Sequence, residues 1–499
     1  MKRVNSQADG ARLQAALAGF SVMPSPVIVA DLTLDSRAVG VGDVFVAIAG
    51  RLTHGLDHTN EAIERGAAVI LWDPTEGRKS PDVPTTVSVI AVARLAQNLG
   101  VIADRFYNHP SLSASVTAVT GTNGKTTCAW LLARCYGNEG AYIGTLGAGR
   151  PDQLVPNLNT TPDIVNLHRM LRSLVDDGVR HVALEVSSHA LDQNRIAGLR
   201  IPIAGFTNLS RDHLDYHGSM EAYGDAKKKL FFREGLACAV LNYQDAFVKK
   251  LSAQIPSEVN LVPVFFGTEP LEQGKYIVCT SIECTERGLT IAGLTHCGSF
   301  ELRSRLVGSF NAENLLLVLG LLLAADMPMA RALDALSEAD APPGRMETFQ
   351  PTENGAMFVV DYAHTPDALK KALISLRAHV RGALWCVFGC GGDRDSGKRS
   401  LMAAAAEKIS DHLVITDDNP RFEDPEHIIS MIRAGLTGRI PSRVERDRAA
   451  AIEWVAAQAG PGDVVLIAGK GHEEYQLYGD ERRRFSDREV VQRIVQRAA

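Results

Sequence analysis

Short apolar runs separated by amphipathic stretches of helical spacing recur along most of this chain. Residues 27–30, 44–48 and 68–72 read as strands, and residues 91–106 space their apolar positions as a helix does. The polar joint Asn108-His109-Pro110 then breaks the pattern. Beyond it, runs at 115–120, 182–186, 203–206 and 238–242 alternate with helical segments, as in an open α/β sheet. An irregular strand-rich section, 276–307, precedes the largely apolar helix 311–325. Pro342-Pro343-Gly344-Arg345 makes a second break. A regular series follows, with strands at 358–362, 383–388, 412–416 and 464–467 and helices at 367–379, 398–409 and 487–497. The pattern predicts an α/β protein of three domains, 1–108, 109–343 and 344–499. The central domain is built on a parallel sheet, and the last is a Rossmann-like doubly wound unit.

A length of 499 residues agrees with about three domains. Charged residues make up 22% and hydrophobic residues 45%, an ordinary soluble composition. Lys plus Arg number 52 against 58 Asp plus Glu, so the net charge of −6 offers no basic field for nucleic acid. The first ten residues lack the apolar core of a secretion signal, and the apolar run 315–325 is too short to cross a bilayer. The expectation is a cytoplasmic monomer with neither a membrane nor a nucleic-acid partner. Eight cysteines are scattered without paired C-x₂-C spacing, so they read as buried or surface thiols rather than a zinc site.

Chemistry concentrates first at residues 115–127. A β-branched run ends in Gly121-Thr122-Asn123-Gly124, and Lys125, Thr126 and Thr127 open a helical pattern. Glycines let backbone N–H groups approach phosphates, and the helix start adds partial positive charge. The lysine reaches the outer phosphates, and the first threonine hydroxyl ligates Mg²⁺. A turn without a ligand would leave the adjacent Gly-Lys-Thr unexplained, so ATP with magnesium is expected here. Glu185 closes the apolar run from 181, at the sheet edge where such folds bind ligands, and reads as a further magnesium ligand. Segments 207–218 and 223–229 add His213 and three consecutive lysines, which on composition alone form a solvated helix face.

The loop carries Val119 where a general phosphate loop has its first glycine. That form resembles the ATP-dependent Mur ligases, which build the peptide of bacterial cell-wall precursors, and their folylpolyglutamate synthetase relatives. The resemblance implies that His213 helps bind a second magnesium ion. It also implies that Lys227 is carbamylated to N6-carboxylysine and ligates metal, and that Asn311 and Arg345 contact the nucleotide. Asn159-Thr160-Thr161, Ser187, Gln193 and Arg195 match positions that contact UDP-MurNAc-L-Ala-D-Glu, although Thr161 before Pro162 also reads as a helix cap. Leu34 and Ser36 match uridine-binding edges of the first domain; Arg51, Leu52 and Thr53 depart from some relatives.

Asp418-Asn419-Pro420-Arg421 reads by itself as a turn. It resembles the segment of those Mur ligases that add meso-diaminopimelate, with Arg394, Gly469 and Glu473 completing the pocket. Meso-diaminopimelate is lysine with a further distal carboxylate, which a guanidinium can bind in two places at once. The glycine loop 389–397 reads as backbone permissiveness beside that ligand rather than a second phosphate loop. A lysine-adding ligase, a folylpolyglutamate synthetase and a non-enzymatic ATP-binding module remain as other readings. The first lacks a reason for Arg421, and the second lacks one for Asn159-Thr160-Thr161.

Overall fold

The computed structural model describes residues 10–23, 27–50, 53–157, 159–269, 274–350 and 355–498. Two units form, one of Met1–Lys125, Tyr136–Ala239 and Asp245–Asn260, the other of Thr126–Cys135, Val240–Gln244 and Leu261–Ala499. Arg51 and Leu52 lie outside the described residues.

The first unit begins with a parallel sheet in the order Leu32–Thr33, Val44–Ala47, Val69–Trp72, Ser88–Ala91. Its central strands are apolar at successive positions because both faces are covered. Val44, Val46, Val69 and Leu71 pack with the helix Leu95–Phe106, while Phe45, Ala47 and Ile70 pack on the other side with Ala62. Residues 27–30 do not form the expected strand. The Ala30 N–H bonds the Gly42 carbonyl, and the carboxylate of Asp31 takes the Leu32 N–H, so the ladder starts only at Leu32.

The same unit holds strands in the order Ile203–Phe206, Ser115–Thr120, His181–Glu185, Gly140–Gly144, Gly147–Gly149, parallel except for the last pair. Ser115–Thr120 lies inside this set, flanked by the strand that ends at Glu185. The sequence-level strand and the structural one coincide there, because a β-branched run between polar turns has few alternatives.

The second unit contains an antiparallel meander, Ile277–Thr285, Gly288–Thr295 and Gly298–Ser304. The helix Ser309–Ala324 is apolar on all sides and correspondingly buried. A six-stranded sheet follows, ordered Glu347–Phe349, Met357–Asp361, Val464–Ala468, Leu384–Phe388, His412–Ile415, Ser442–Val444. All its pairs are parallel except the first. Met357 and Val359 face the helices Pro366–Arg377 and Lys398–Ile409, whereas Phe358 and Val360 face Arg448–Gln458 and Asp487–Ala498. This is the doubly wound arrangement expected from the sequence. The hairpin Tyr475–Tyr478 and Glu481–Arg484 is tied to residues 417–421 through Gln476 and Tyr478.

Among the described residues no helix is long and apolar enough to cross a membrane. None of the eight cysteines forms a disulfide; burial pushes the thiols of Cys135, Cys386 and Cys390 up to about 12, which leaves them poor nucleophiles.

Candidate active site

The strand Ser115–Thr120 hands the chain to Gly121, whose φ of +142° is open to glycine but rarely to other residues. A Cβ at Gly121 would fall 1.8 Å from Thr207 Oγ1. That closeness is built in, because Thr207 and Asn208 brace the loop. Thr207 Oγ1 donates to Asn123 O at 2.6 Å, the Thr122 N–H to Asn208 O at 2.7 Å and the Asn123 N–H to Asn208 Oδ1 at 3.1 Å. Lys125 opens the helix Lys125–Cys135 and folds back, its Nζ donating to Gly121 O at 3.0 Å and Thr122 O at 2.8 Å. Thr126 and Thr127 follow in the first turn. Gly121→Ala should therefore cost about 2–5 kcal/mol of stability from backbone strain plus overpacking. Urea titration checks this, and an unchanged midpoint would mean that the close approach is not maintained in solution.

Lys227 is separated from its two neighbours by the geometry of the helix Met220–Lys228. Lys228 is half-buried with its amine on Gln254, and exposed Lys229 pairs with Asp192 at 2.8 Å. Lys227 points inward, 1% exposed, with Nζ donating to Gly121 O at 2.6 Å and lying 4.6 Å from the Tyr223 ring centre. Burial first, then the nearby Lys125 ammonium, pushes Lys227 down to about 6, with Asp212 opposing. Near neutral pH its amine is therefore largely unprotonated. The expectation of a solvated lysine face holds for Lys228 and Lys229 and fails for Lys227.

His213 sits in left-handed backbone, φ +52°, next to a cluster of rings. Its imidazole meets His189 edge-on at 4.9 Å and Tyr223 at 6.0 Å, and His189 lies 5.5 Å from His217. Burial first, with His213 adding, lowers both His189 and His217, so both rings are neutral near pH 7. Glu185 is fully buried at its strand end; Tyr142 OH bonds Oε1, the Thr145 N–H donates to Oε1 at 3.1 Å, and the Thr145 hydroxyl to Oε2 at 3.3 Å. Within the first unit, Glu185 and His213, with Lys227 as a carbamate, offer mostly oxygen donors, a set that suits a hard divalent cation. Lys227 as an ammonium would not.

Glu185 also connects to the residues expected to bind the acceptor substrate. The Thr145 hydroxyl oxygen also lies 3.2 Å from the Thr160 hydroxyl, and the Thr161 hydroxyl donates to Glu185 O at 2.9 Å while accepting the Ser187 N–H at 3.1 Å. Arg195 donates to Thr161 O at 2.9 Å and to Gln193 Oε1 at 2.9 and 2.6 Å. Asn159 is exposed at the start of this run. The helix cap belongs to Asp163 instead of Thr161: Asp163 takes the Val165 and Asn166 N–H groups at the head of Ile164–Asp176. That leaves Thr161 tied to the sheet edge. Ser36 opens the short 3-10 helix Ser36–Ala38 after the first strand, its hydroxyl donating to Glu61 at 2.7 Å, with Leu34 half-buried nearby.

In the second unit Asn311 is buried, donating to Val307 O at 2.7 Å and accepting from Asn314 at 2.9 Å, so its amide fastens a helix start. The Arg345 guanidinium lies 4.7 Å from the centre of the Tyr362 ring. Its neighbour Asp361 takes the Met346 and Ala363 N–H groups at 2.8 and 2.9 Å; burial raises this carboxyl, with Arg345 partly offsetting the effect.

The segments 417–421 and 469–473 carry the residues expected to form the amino-acid subsite. The Arg421 backbone is fixed by Leu477 O and Gly479 N, while its Nη1 donates to Gly392 O at 2.8 Å. A Cβ on Gly391 would meet Arg421 Nη1 at 2.8 Å and Arg394 Cγ at 3.8 Å, so the two guanidinium side chains flank that glycine. Gly469, φ +117°, admits Asp418, whose Oδ2 would lie 2.6 Å from a Cβ there. Gly389 and Gly392 also run close to the backbone of Thr416 and Pro420, so this glycine loop follows the 416–420 segment. Asn419 Nδ2 donates to Glu473 Oε2 at 3.0 Å. Lys470, unmarked by sequence reasoning because a lysine between glycines reads as solvated, is fully buried between them. Tyr142, Thr145 and Tyr223 also escaped notice, since nothing local ties them to residues so distant in sequence.

Three family patterns match: Mur ligase family, catalytic domain, at 29–107; Mur ligase middle domain at 119–322; and Mur ligase, glutamate ligase domain, at 344–471. The chain is 45% identical to UDP-N-acetylmuramoyl-L-alanyl-D-glutamate–2,6-diaminopimelate ligase of Xylella fastidiosa over 475 residues, 94% of each chain. It is 45% identical to the protein of that name in Ectopseudomonas mendocina, covering 93% of this chain and 94% of that one. A solved structure of a ligase with the same name superimposes with a TM-score of 0.68 at 34% identity, covering 94% of this chain and 95% of that one.

Proposed function

We infer that this chain, which belongs to the Mur ligase family, is an ATP-dependent ligase that joins meso-2,6-diaminopimelate to the D-glutamate of UDP-MurNAc-L-Ala-D-Glu in peptidoglycan synthesis. The observation that carries the choice of amino acid is the subsite in which Arg421 and Arg394 flank Gly391 while Asn419 grips Glu473. Guanidinium groups suit the distal carboxylate of diaminopimelate, and Glu473 suits the ammonium beside it.

The reaction proceeds by transfer of the ATP γ-phosphoryl group to the glutamate carboxylate. The free amine of diaminopimelate then attacks the acyl phosphate, and the tetrahedral adduct collapses to amide and phosphate. Gly121, Thr122, Asn123, Gly124, Lys125 and Thr127 hold the triphosphate, and the Lys125 ammonium offsets charge as it moves onto the leaving ADP. Asn311 and Arg345 contact the nucleotide. Asn159, Thr160, Thr161, Ser187, Gln193 and Arg195 orient the dipeptide end, and Leu34 and Ser36 the uridine end. Magnesium, when held by Thr126, Glu185, His213 and the Lys227 carbamate, supplies charge neutralisation on the transferring phosphoryl group. The division into uridine-binding, ATP-binding and amino-acid-binding domains at 1–108, 109–343 and 344–499 follows these assignments, and the working form is a cytoplasmic monomer.

Phosphate release with ATP, Mg²⁺ and UDP-MurNAc-L-Ala-D-Glu tests the reading, comparing meso-diaminopimelate with L-lysine. Turnover with diaminopimelate alone, and a tripeptide product of the right mass, is expected. A preference for lysine would keep the ligase and overturn the subsite; no turnover with either would overturn the reaction.

A further inference from the structure

The amino-acid subsite contains a cation to which the reading above gives no task. Lys470 is fully buried; its Nζ donates to Asn419 Oδ1 and to Glu473 Oε2, both at 3.2 Å, and lies 5.7 Å from the Tyr475 ring centre. These contacts settle two orientations. Asn419 Oδ1 accepts from Lys470 and from the Leu477 N–H at 3.1 Å, so its amide nitrogen must face Glu473. Glu473 Oε2 then receives both Asn419 and Lys470, and the ligand is left with Oε1.

We propose that Lys470 is a specificity-determining positioning residue of this subsite, making it accept a distal ammonium only when a carboxylate accompanies that ammonium. The inference rests on the assignment of the subsite to diaminopimelate. Lys470 draws on the charge of Glu473, so what Glu473 offers to an unaccompanied ammonium is weakened. Together with Arg394 and Arg421 it places three cationic side chains around the position left for the distal head of the ligand. A zwitterionic head brings its own carboxylate to those cations, whereas the lone ε-ammonium of lysine has only the shared Glu473 to offset their repulsion. Discrimination of this kind comes from the penalty placed on the wrong ligand as much as from contacts to the right one.

The test is a competition in one vessel: equal meso-diaminopimelate and L-lysine, with ATP, Mg²⁺ and UDP-MurNAc-L-Ala-D-Glu, and the two tripeptides counted by mass. The product ratio reports the ratio of the two kcat/KM values and is independent of how much enzyme is folded. Lys470→Gln should lower the diaminopimelate-to-lysine ratio about tenfold, and Lys470→Arg should hold it within about threefold of the unsubstituted protein. A purely structural lysine would reduce total product and leave the ratio unchanged, which overturns the proposal. So does a tenfold fall in the Arg variant, which decides the matter alone if the Gln variant does not fold. If the unsubstituted protein itself shows no preference for diaminopimelate, the subsite assignment has failed, not merely the role of Lys470.

Discussion

Replacing Lys227 by alanine should lower turnover by roughly two to three powers of ten, the scale seen when one group stabilising transition-state charge is removed. The expectation starts from burial. An amine enclosed beside Gly121 O and near Lys125 is held down to about 6, so near pH 7 it is mostly the free base. The free base can add to CO₂, giving a carbamate and releasing one proton, whereas an ammonium has no lone pair to do so. The product is an anion on a flexible stem close to the phosphate loop, suited to a hard cation. Three results should follow. Short carboxylates such as acetate or propionate should partly restore Lys227→Ala. Activity should fall as pH drops through about 6 and be supported there by added bicarbonate. CO₂-depleted enzyme should regain activity on return of bicarbonate. Full activity in Lys227→Ala would remove the residue from the mechanism.

The same shift has a stability consequence of opposite sign. Lys227 has its ammonium disfavoured in the folded chain relative to the ordinary value of 10.5. The unfolded chain therefore binds more protons between about 6 and 10.5, and stability rises with pH across that window. Lys227→Met should accordingly gain in melting temperature over the unsubstituted, CO₂-free protein at neutral pH. That gain should disappear as pH rises through 10.5, even though the variant is inactive.

Arg421→Ala should reduce kcat/KM for meso-diaminopimelate by about 30-fold to several thousand-fold, the equivalent of about 2–5 kcal/mol for truncating one partner of an enclosed charge pair. L-lysine, which carries no distal carboxylate, should gain in relative terms. The substitution isolates the side chain well. The loop is held by the Arg421 backbone, which pairs with Leu477 and Gly479, and by Gln476, which donates to Asp417 O and Asp418 O at 3.3 and 3.0 Å. Among the described residues the side chain itself donates to carbonyl oxygens alone. Arg421→Lys keeps the charge and loses the planar fork, so it should recover part of the rate. Unchanged diaminopimelate use in Arg421→Ala would show that the distal carboxylate is read elsewhere.

Much of this was legible in the sequence because it is local. The strand, glycine turn and helix start at 115–127 are dictated by neighbours a few residues apart, and the structure reproduces them closely. The alternation of buried strands and amphipathic helices over 357–498 was equally plain, since a helix period and an apolar run are each properties of a short window. Local reading failed where a local signal had two uses. Thr161-Pro162 looks like a helix cap, yet Asp163 caps the helix and Thr161 bonds across to Glu185 and Ser187. Residues 27–30 look like a strand, yet the ladder needs a partner in register and finds one only from Leu32.

What the sequence determined by itself was the order of elements, the phosphate loop, and which residue types stand near each candidate ligand. Which of three consecutive lysines is buried, which oxygen of Glu473 is left for a ligand, and which tyrosine and threonine hold Glu185 were decided only by tertiary structure. Burial and hydrogen-bond partnership depend on residues tens to hundreds of positions away, such as Gly121 for Lys227 and Asn419 for Lys470. Charge, basicity and orientation are set by that distant company, because the cost of enclosing an ion depends on what surrounds it and not on its neighbours along the chain.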